Sequence, residues 1–278
     1  MGSIYMRFPE GKSKAMTLSY DDGVRQDKRL IEIMKKNGLK GTFNINSGLY
    51  APEDKVGGNR MSKKEALDLY LSSGMEVAVH GLNHPYLDQL PENICTYEIL
   101  QDRKNLEADY GCIIRGMAYP YGTTSESVVS SLKQCGIVYA RTTRSTEQFA
   151  IPTDWLKLPA TCHHKNPRLM ELARNFVEND FVANPGLFYL WGHSFEFDYN
   201  VPNNNWDVIE KFAEFAGNRS NIWYATNIEI YDYITAYNQL IFSMDYTSVY
   251  NPTCTTVYFK TYKGNYTVRP GEMIHYEF

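Results

Sequence analysis

Apolar positions along this chain arrive in short runs that alternate with amphipathic stretches. Ala15-Met16-Thr17-Leu18-Ser19-Tyr20 has strand character, and Arg25 to Asn37 then sets Leu30, Ile33 and Met34 on one helical face, with Gly38 as its C-terminal cap. Gly41-Thr42-Phe43-Asn44-Ile45 predicts a second strand. Ser62-x-x-Glu65 is a capping box opening a helix to Leu71, and Met75 to Val79 predicts the strand that follows. The alternation continues with Pro91 to Tyr110 before Gly116 to Tyr119, and Ser125 to Gln134 before Ile137 to Ala140. Pro167 to Val177 then precedes a strand from Gly186 toward His193, and Trp206 to Ala216 precedes Asn221 to Ala225. A helix from Ile228 to Tyr237 closes the series. Repeated βα units predict an α/β fold with a parallel sheet, and periodicity alone leaves an open doubly wound sheet and a barrel both available.

Beyond residue 238 the pattern changes. Val257 to Tyr262, a Lys263-Gly264-Asn265 turn and Tyr266-Thr267-Val268 predict a β-hairpin, with flanking strands near Leu240 to Met244 and Met273 to Tyr276. The expected division is a main α/β domain over 1–238 and a small β-rich extension over 239–278. Its size favours an extension packed on the main body over an independent glycan-binding or dimer-forming module.

Polar residues collect where the predicted strands end. Asp21-Asp22-Gly23 follows the first strand, His80-Gly81-Leu82-Asn83-His84 the third, and His193 the run Gly186 to Gly192. One carboxylate and two histidines four positions apart are enough to hold a divalent ion with positions left for water and substrate. The second carboxylate is then free to act as a base, and His193 as an acid. Each piece alone has a plainer use: Asp-Asp-Gly as a turn and helix cap, His80 and His84 as a hydrogen-bonded pair, His193 as a core residue. Their convergence at strand ends favours a barrel, whose working residues gather there.

These segments resemble the polysaccharide deacetylase family, carbohydrate esterases that share a NodB-type homology domain, over most of residues 14–237. Ser19-Tyr20-Asp21-Asp22-Gly23 is similar to the first family motif, usually written TFDDG. His80-x-x-x-His84 matches the second, Tyr119-Pro120-Tyr121-Gly122 the core of the third, and Leu190 to His193 resembles the fifth. Two positions depart from the pattern. The arginine that often stands two residues before the proline of the third motif is replaced by Ala118, with Arg141 as a substitute tether for the base, and the fourth motif reduces to Asp154-Trp155.

The resemblance implies a distorted (β/α) barrel of seven strands with an open groove. It implies that Asp22, His80 and His84 hold one divalent cation, with zinc expected first and cobalt, nickel, iron and manganese as other ions that such a set accepts. Asp21 would be the base and His193 the acid in removing N-acetyl groups from N-acetylglucosamine-containing oligo- or polysaccharide. The Tyr121 backbone N–H, after Pro120, would face the oxyanion. Trp191, Trp155 and His164 are further candidates for substrate contact. Other readings are an O-acetyl esterase on acetylated glycans, a cyclic-amide hydrolase on the same scaffold, and a non-catalytic glycan-binding protein.

Composition narrows the partners. A net charge of −4 over 278 residues leaves no basic stripe, so no nucleic-acid partner is expected. No apolar run is long enough to span a bilayer, and the first fifteen residues carry no signal-peptide core, so the chain as given reads as cytoplasmic. A chain already trimmed of a leader would read the same and be extracellular. Five widely spaced cysteines, with no Cys-x-x-Cys pair, argue against a disulfide framework. The oligomeric state, including a homo-oligomer, is left open.

Overall fold

The computed structural model describes residues 3–55 and 57–277. Met1 and Gly2, which begin the stretch searched for a signal peptide, lie outside the described residues, as do Val56 and Phe278. Strands are β1 (Tyr5–Arg7), β2 (Lys14–Asp21), β3 (Gly41–Ile45), β4 (Glu76–Val79), β5 (Gly116–Ala118), β6 (Tyr139–Ser145), β7 (Leu158–Ala160), β8 (Cys162–His163), β9 (Gly186–Gly192) and β10 (Ile222–Tyr224). The α-helices are α1 (Asp27–Lys36), α2 (Lys63–Leu71), α3 (Glu92–Tyr110), α4 (Glu126–Gln134), α5 (Leu169–Glu178), α6 (Trp206–Ala216) and α7 (Asn227–Asn238). The extension adds β11 (Ile241–Phe242), β12 (Ser248–Tyr250), β13 (Val257–Lys260), β14 (Asn265–Val268) and β15 (Met273–His275).

The main sheet is parallel, in the order β7-β6-β5-β4-β3-β2-β9-β8, with β10 also paired to β2. β7 and β8 stand at opposite ends of that order although Thr161 alone separates them in the chain. Leu158 and Ala160 pair with β6, while Cys162 and His163 pair with Leu190 and Trp191 of β9. The sheet therefore curls until one segment, 158–163, borders both of its ends, an α/β architecture consistent with a distorted (β/α)7 barrel.

Strand alternation divides the interior in two. Met16, Leu18 and Tyr20 of β2 join the large cluster with Leu30, Phe176 and Phe212 from the covering helices. Ala15 joins a second cluster with Leu187, Tyr189, Trp191 and, from α7, Ile230 and Tyr233. Each fully buried Leu or Phe contributes about 2 kcal/mol to holding helix on sheet. The helix starts follow the local chemistry: Ser62 and Glu65 close the capping box that opens α2, and Thr226 and Glu229 do the same for α7.

β6 extends to Ser145, further than the apolar run suggested, because Arg141 to Ser145 pairs with β7 across a register shift. Arg141 thus sits within the strand rather than after it. The expected hairpin forms between β13 and β14, from Val257 opposite Val268 to Lys260 opposite Asn265. The N-terminal β1 joins it, Tyr5 opposite Lys260, and β11, β12 and β15 form a second small sheet. Among the described residues, no helix is long and apolar enough to cross a membrane.

Candidate active site

The turn after β2 is shaped for two carboxylates to face different neighbours. Asp22 has φ of +88°, uncommon for a side-chain-bearing residue, and its N–H bonds the Asn44 carbonyl at 2.9 Å. Arg60 clamps it: one guanidinium nitrogen donates to the Asp22 carbonyl and to Asn46 Oδ1, the other to Asp22 Oδ1 at 3.0 Å. Asp21 is fully enclosed, both of its carboxylate oxygens accept from Arg141 Nη2, and Oδ1 also accepts from Asn44 Nδ2 at 2.8 Å. Burial would raise the Asp21 pKa, but Arg141, His80 and His193 outweigh it and hold the carboxyl at about 2. The Arg141 guanidinium lies over the Trp191 ring, 4.5 Å from its centroid. The tether missing at Ala118 is thereby present, supplied from β6.

Helix α3 fixes the two histidines after β4. Asp102 accepts the N–H groups of Ser47 and His80, at 2.8 and 3.0 Å, and Glu98 accepts those of Asn83 through its side chain and Leu82 through its carbonyl. His80 Nδ1 lies 2.8 Å from the Ala118 carbonyl, which can only accept, so Nδ1 carries the proton and Nε2 keeps a bare lone pair. That Nε2 is buried and lacks a hydrogen-bond partner among the described residues. Burial lowers the His80 pKa to about 4, which keeps the ring neutral, and it also lowers that of His84. Asp22 Oδ1 lies 3.9 Å from His80 Nε2 and 3.7 Å from His84 Nε2. A carboxylate oxygen and two imidazole nitrogens around one point form the donor set of a divalent cation, and the orphaned His80 lone pair is the part that nothing else among the described residues uses. The residues fit a metal ion.

On the other side of Asp21 stands His193, with Nε2 3.9 Å from Asp21 Oδ2 and Nδ1 3.3 Å from Glu196 Oε1. Burial lowers the His193 pKa, yet Glu196 and the two aspartates more than reverse this and leave it raised. Glu196 is itself held well below the usual carboxylate range, against its burial, by His164 and His193. His163 Nε2 is 3.5 Å and His164 Nε2 3.2 Å from Glu196 Oε2. His163, His193 and Glu196 also lie close enough to suggest a second ion. The tautomers oppose it, because His163 Nδ1 accepts the Lys165 N–H at 3.2 Å and so leaves the proton on Nε2, directed at the carboxylate.

Asp21, Asp22, His80, His84 and His193 are thus brought together from the ends of β2, β4 and β9. Tyr121 lies beside them, its ring edge-on to His84 at 4.6 Å, in a backbone with φ of +59° between buried Pro120 and Gly122. The other residues expected to contact substrate lie elsewhere in the fold. Trp155 precedes β7, at the opposite mouth from the carboxylates, where it meets Tyr231 of α7 edge-on and packs with the Leu187 cluster. Asp154 accompanies it there and caps the Leu156 N–H. His164 is fully buried, stacked on Tyr20 and Phe197 and bonded to Asn204. Trp191 is 7% exposed and serves as the floor beneath Arg141. Sequence reasoning missed Glu196 and Arg60. For Glu196 the signal was its spacing, three residues after His193; for Arg60 none exists before the fold is known.

Known proteins resemble this chain in two ways. The family model described as Polysaccharide deacetylase matches residues 9–140. A family 4 carbohydrate esterase from Streptomyces lividans, solved with acetate, is 18% identical with a TM-score of 0.51, the match covering 76% of this chain and 92% of that one. The Xyl-CE4 domain of a multidomain xylanase from the hindgut metagenome of Trinervitermes trinervoides is 14% identical with a TM-score of 0.53, covering 80% and 92%. The deacetylase PplD of Streptococcus pyogenes, solved with acetate, is 22% identical with a TM-score of 0.42, and the match covers 46% of this chain and 55% of that one. For the Streptomyces lividans esterase and the Xyl-CE4 domain, the likeness at these identities is one of fold. No curated protein sequence matches the chain. Over residues 9–140 the chain is similar to the polysaccharide deacetylase family.

Proposed function

We propose that the protein is a metal-dependent hydrolase that removes N-acetyl groups from N-acetylglucosamine-containing oligo- or polysaccharide. The observation that carries this reading is the buried, unpartnered His80 Nε2 facing Asp22 Oδ1, with a second carboxylate and a raised-pKa histidine on the far side of the same turn. Asp22, His80 and His84 would hold the cation, zinc being the first candidate, and bound there it supplies Lewis-acid polarisation of the amide carbonyl and acidifies water. Asp21, kept ionised by Arg141, receives the proton of the attacking water. The Tyr121 backbone N–H is the donor for charge that develops on the carbonyl oxygen. His193, with Glu196 Oε1 3.3 Å from its Nδ1, delivers a proton from Nε2 to the departing amine nitrogen. Acetate and a free amino sugar are the products.

A glycan-binding protein would need neither an enclosed Arg141–Asp21 pair nor a histidine whose affinity for protons is raised, so the hydrolytic reading is the stronger. Acetate release should be measured with metal-free protein and with protein reloaded with zinc, cobalt or nickel. The panel should include chito-oligosaccharides, peptidoglycan fragments and O-acetylated xylan. Metal-dependent release lost in Asp21→Asn and His80→Ala is expected. Release from xylan alone would replace the amidase with an O-acetyl esterase, and no release from protein with metal bound at one equivalent would overturn the assignment.

A further inference from the structure

Two residues outside the motifs tie together the turns that carry the three candidate ligands. Both come from the connection between β3 and α2, residues 46–62. Arg60 is held there by backbone bonds to the turn after Asp22: the Arg25 N–H donates to the Asn59 carbonyl at 2.8 Å and the Met61 N–H to the Gly23 carbonyl at 3.3 Å. The Arg25 side chain adds bonds to the Gly58 and Lys55 carbonyls, both at 3.1 Å. From this strap the Arg60 guanidinium spans the Asp22 carbonyl, Asp22 Oδ1 and Asn46 Oδ1. Asn46 is 1% exposed, and its amide nitrogen donates the other way, to the carbonyls of His80 at 2.6 Å and Gly81 at 2.7 Å. One chain of bonds thus runs from Asp22 after β2, through Arg60 and Asn46, to the His80 turn after β4.

These bonds fall where a metal ligand is aimed. Asp22 Oδ1, which Arg60 Nη2 meets at 3.0 Å, is also the oxygen that faces His80 Nε2 and His84 Nε2, so the guanidinium fixes the carboxylate at the atom a cation would use. The positive φ of Asp22 is a conformation that side-chain-bearing residues seldom adopt, and the bond from Arg60 to its carbonyl holds it there. Groups that hydrogen-bond metal ligands set their orientation, and with it the affinity of the site. We propose that Arg60 and Asn46 act as one positioning unit that registers Asp22 to His80 and His84, and thereby sets the affinity and coordination geometry of the cation. This rests on the metal-site reading, and it makes the β3–α2 connection part of the metal site although it supplies no ligand.

The test is zinc affinity, measured on metal-free protein by competition with a chromophoric chelator, together with the visible absorption bands of cobalt-loaded protein, which report coordination geometry. Arg60→Lys, which keeps the charge but cannot span carboxylate and carbonyl together, and Asn46→Ala should each weaken zinc binding roughly tenfold. The two changes combined should weaken it little beyond either alone, because residues that act through one chain of bonds are not additive. At cobalt saturation the bands of both variants should shift from those of the native protein, which a loss of folding stability alone does not cause, and near-ultraviolet circular dichroism verifies the fold of each. Unchanged affinity in both variants, losses that multiply in the double variant, or weaker binding with unmoved cobalt bands would each overturn the proposal. Native protein that binds no zinc would defeat the metal-site reading and this proposal with it, whereas zinc binding that His80→Ala abolishes and Arg60→Lys and Asn46→Ala both spare would defeat this proposal alone.

Discussion

Individual side chains in this site are held by partners far away in sequence. Asp21 and Arg141 are 120 residues apart, and their buried pair leaves an unpaired charge if one side is removed. Arg141→Met should therefore cost about 3 kcal/mol of stability in urea unfolding near neutral pH. The sign follows from the depressed Asp21 pKa, about 2 against 3.8: its stabilisation is present above pH 3.8 and is lost as pH falls toward 2. Arg141→Met should flatten that acid dependence, and an unchanged profile would place the lowering elsewhere. For Glu196→Gln, a side chain of the same shape stays 3.3 Å from His193 Nδ1 while the charge that raises the His193 pKa is lost. Since the acid must be protonated, the basic limb of kcat/KM should move to lower pH, and a limb that stays in place would detach Glu196 from the proton transfer. The sequence announced Asp21, Asp22, His80, His84 and His193 because strand ends are local events that patterning can locate. It was silent on Arg60 and ambiguous about Arg141, because which side chain answers which carboxylate depends on strand register. Trp155 misled for the same reason, since a tryptophan just before a strand and one just after it look alike until the strand's direction in the barrel is known.

At the scale of elements, one buried acid links three of them. Asp27, the first residue of α1, accepts Tyr70 Oη from α2 and Ser194 Oγ from the segment after β9, both at 2.5 Å, and also the Val24 N–H at 3.1 Å. Burial raises its pKa to about 7 despite those bonds. A raised folded-state pKa means that the folded chain holds a proton which the unfolded chain releases above pH 3.8. Stability should therefore fall as pH rises from about 4 to about 7. Denaturant midpoints measured across that interval should decline in the native protein and stay level in Asp27→Asn, whereas parallel slopes in the two proteins would refute the assignment. Asp27→Ala, which strands the Tyr70 and Ser194 hydroxyls, should cost about 2 kcal/mol. The elements themselves were largely legible. β3 and α6 begin and end where the pattern placed them, and the capping box at Ser62 forms. The short β8 was not foreseen, since two residues carry no period, and it exists only because β9 offers an edge.

On the scale of the whole molecule, the extension is anchored through a small core of its own. Ala236 and Leu240 at the end of α7 meet Val249, Val257, Phe259 and Val268, and Tyr233 Oη both donates to the Arg7 carbonyl and accepts the Tyr258 N–H. We propose that residues 239–278 unfold with the catalytic domain as one unit. Phe259→Ala should lower stability by about 3 to 5 kcal/mol and leave a single calorimetric transition, and a separate early transition would define an independent module. The hairpin of this extension was readable from its turn, but its third strand was not, because β1 lies more than 250 residues earlier and has no apolar period of its own. That pairing also orders events during synthesis. When Tyr5–Arg7 leaves the ribosome, its partner strand has not yet been translated, and the parallel sheet between them can assemble first. Strand β1 waits for this partner until residues 257–260 have been translated, so a strand made late secures one made some 250 residues before it.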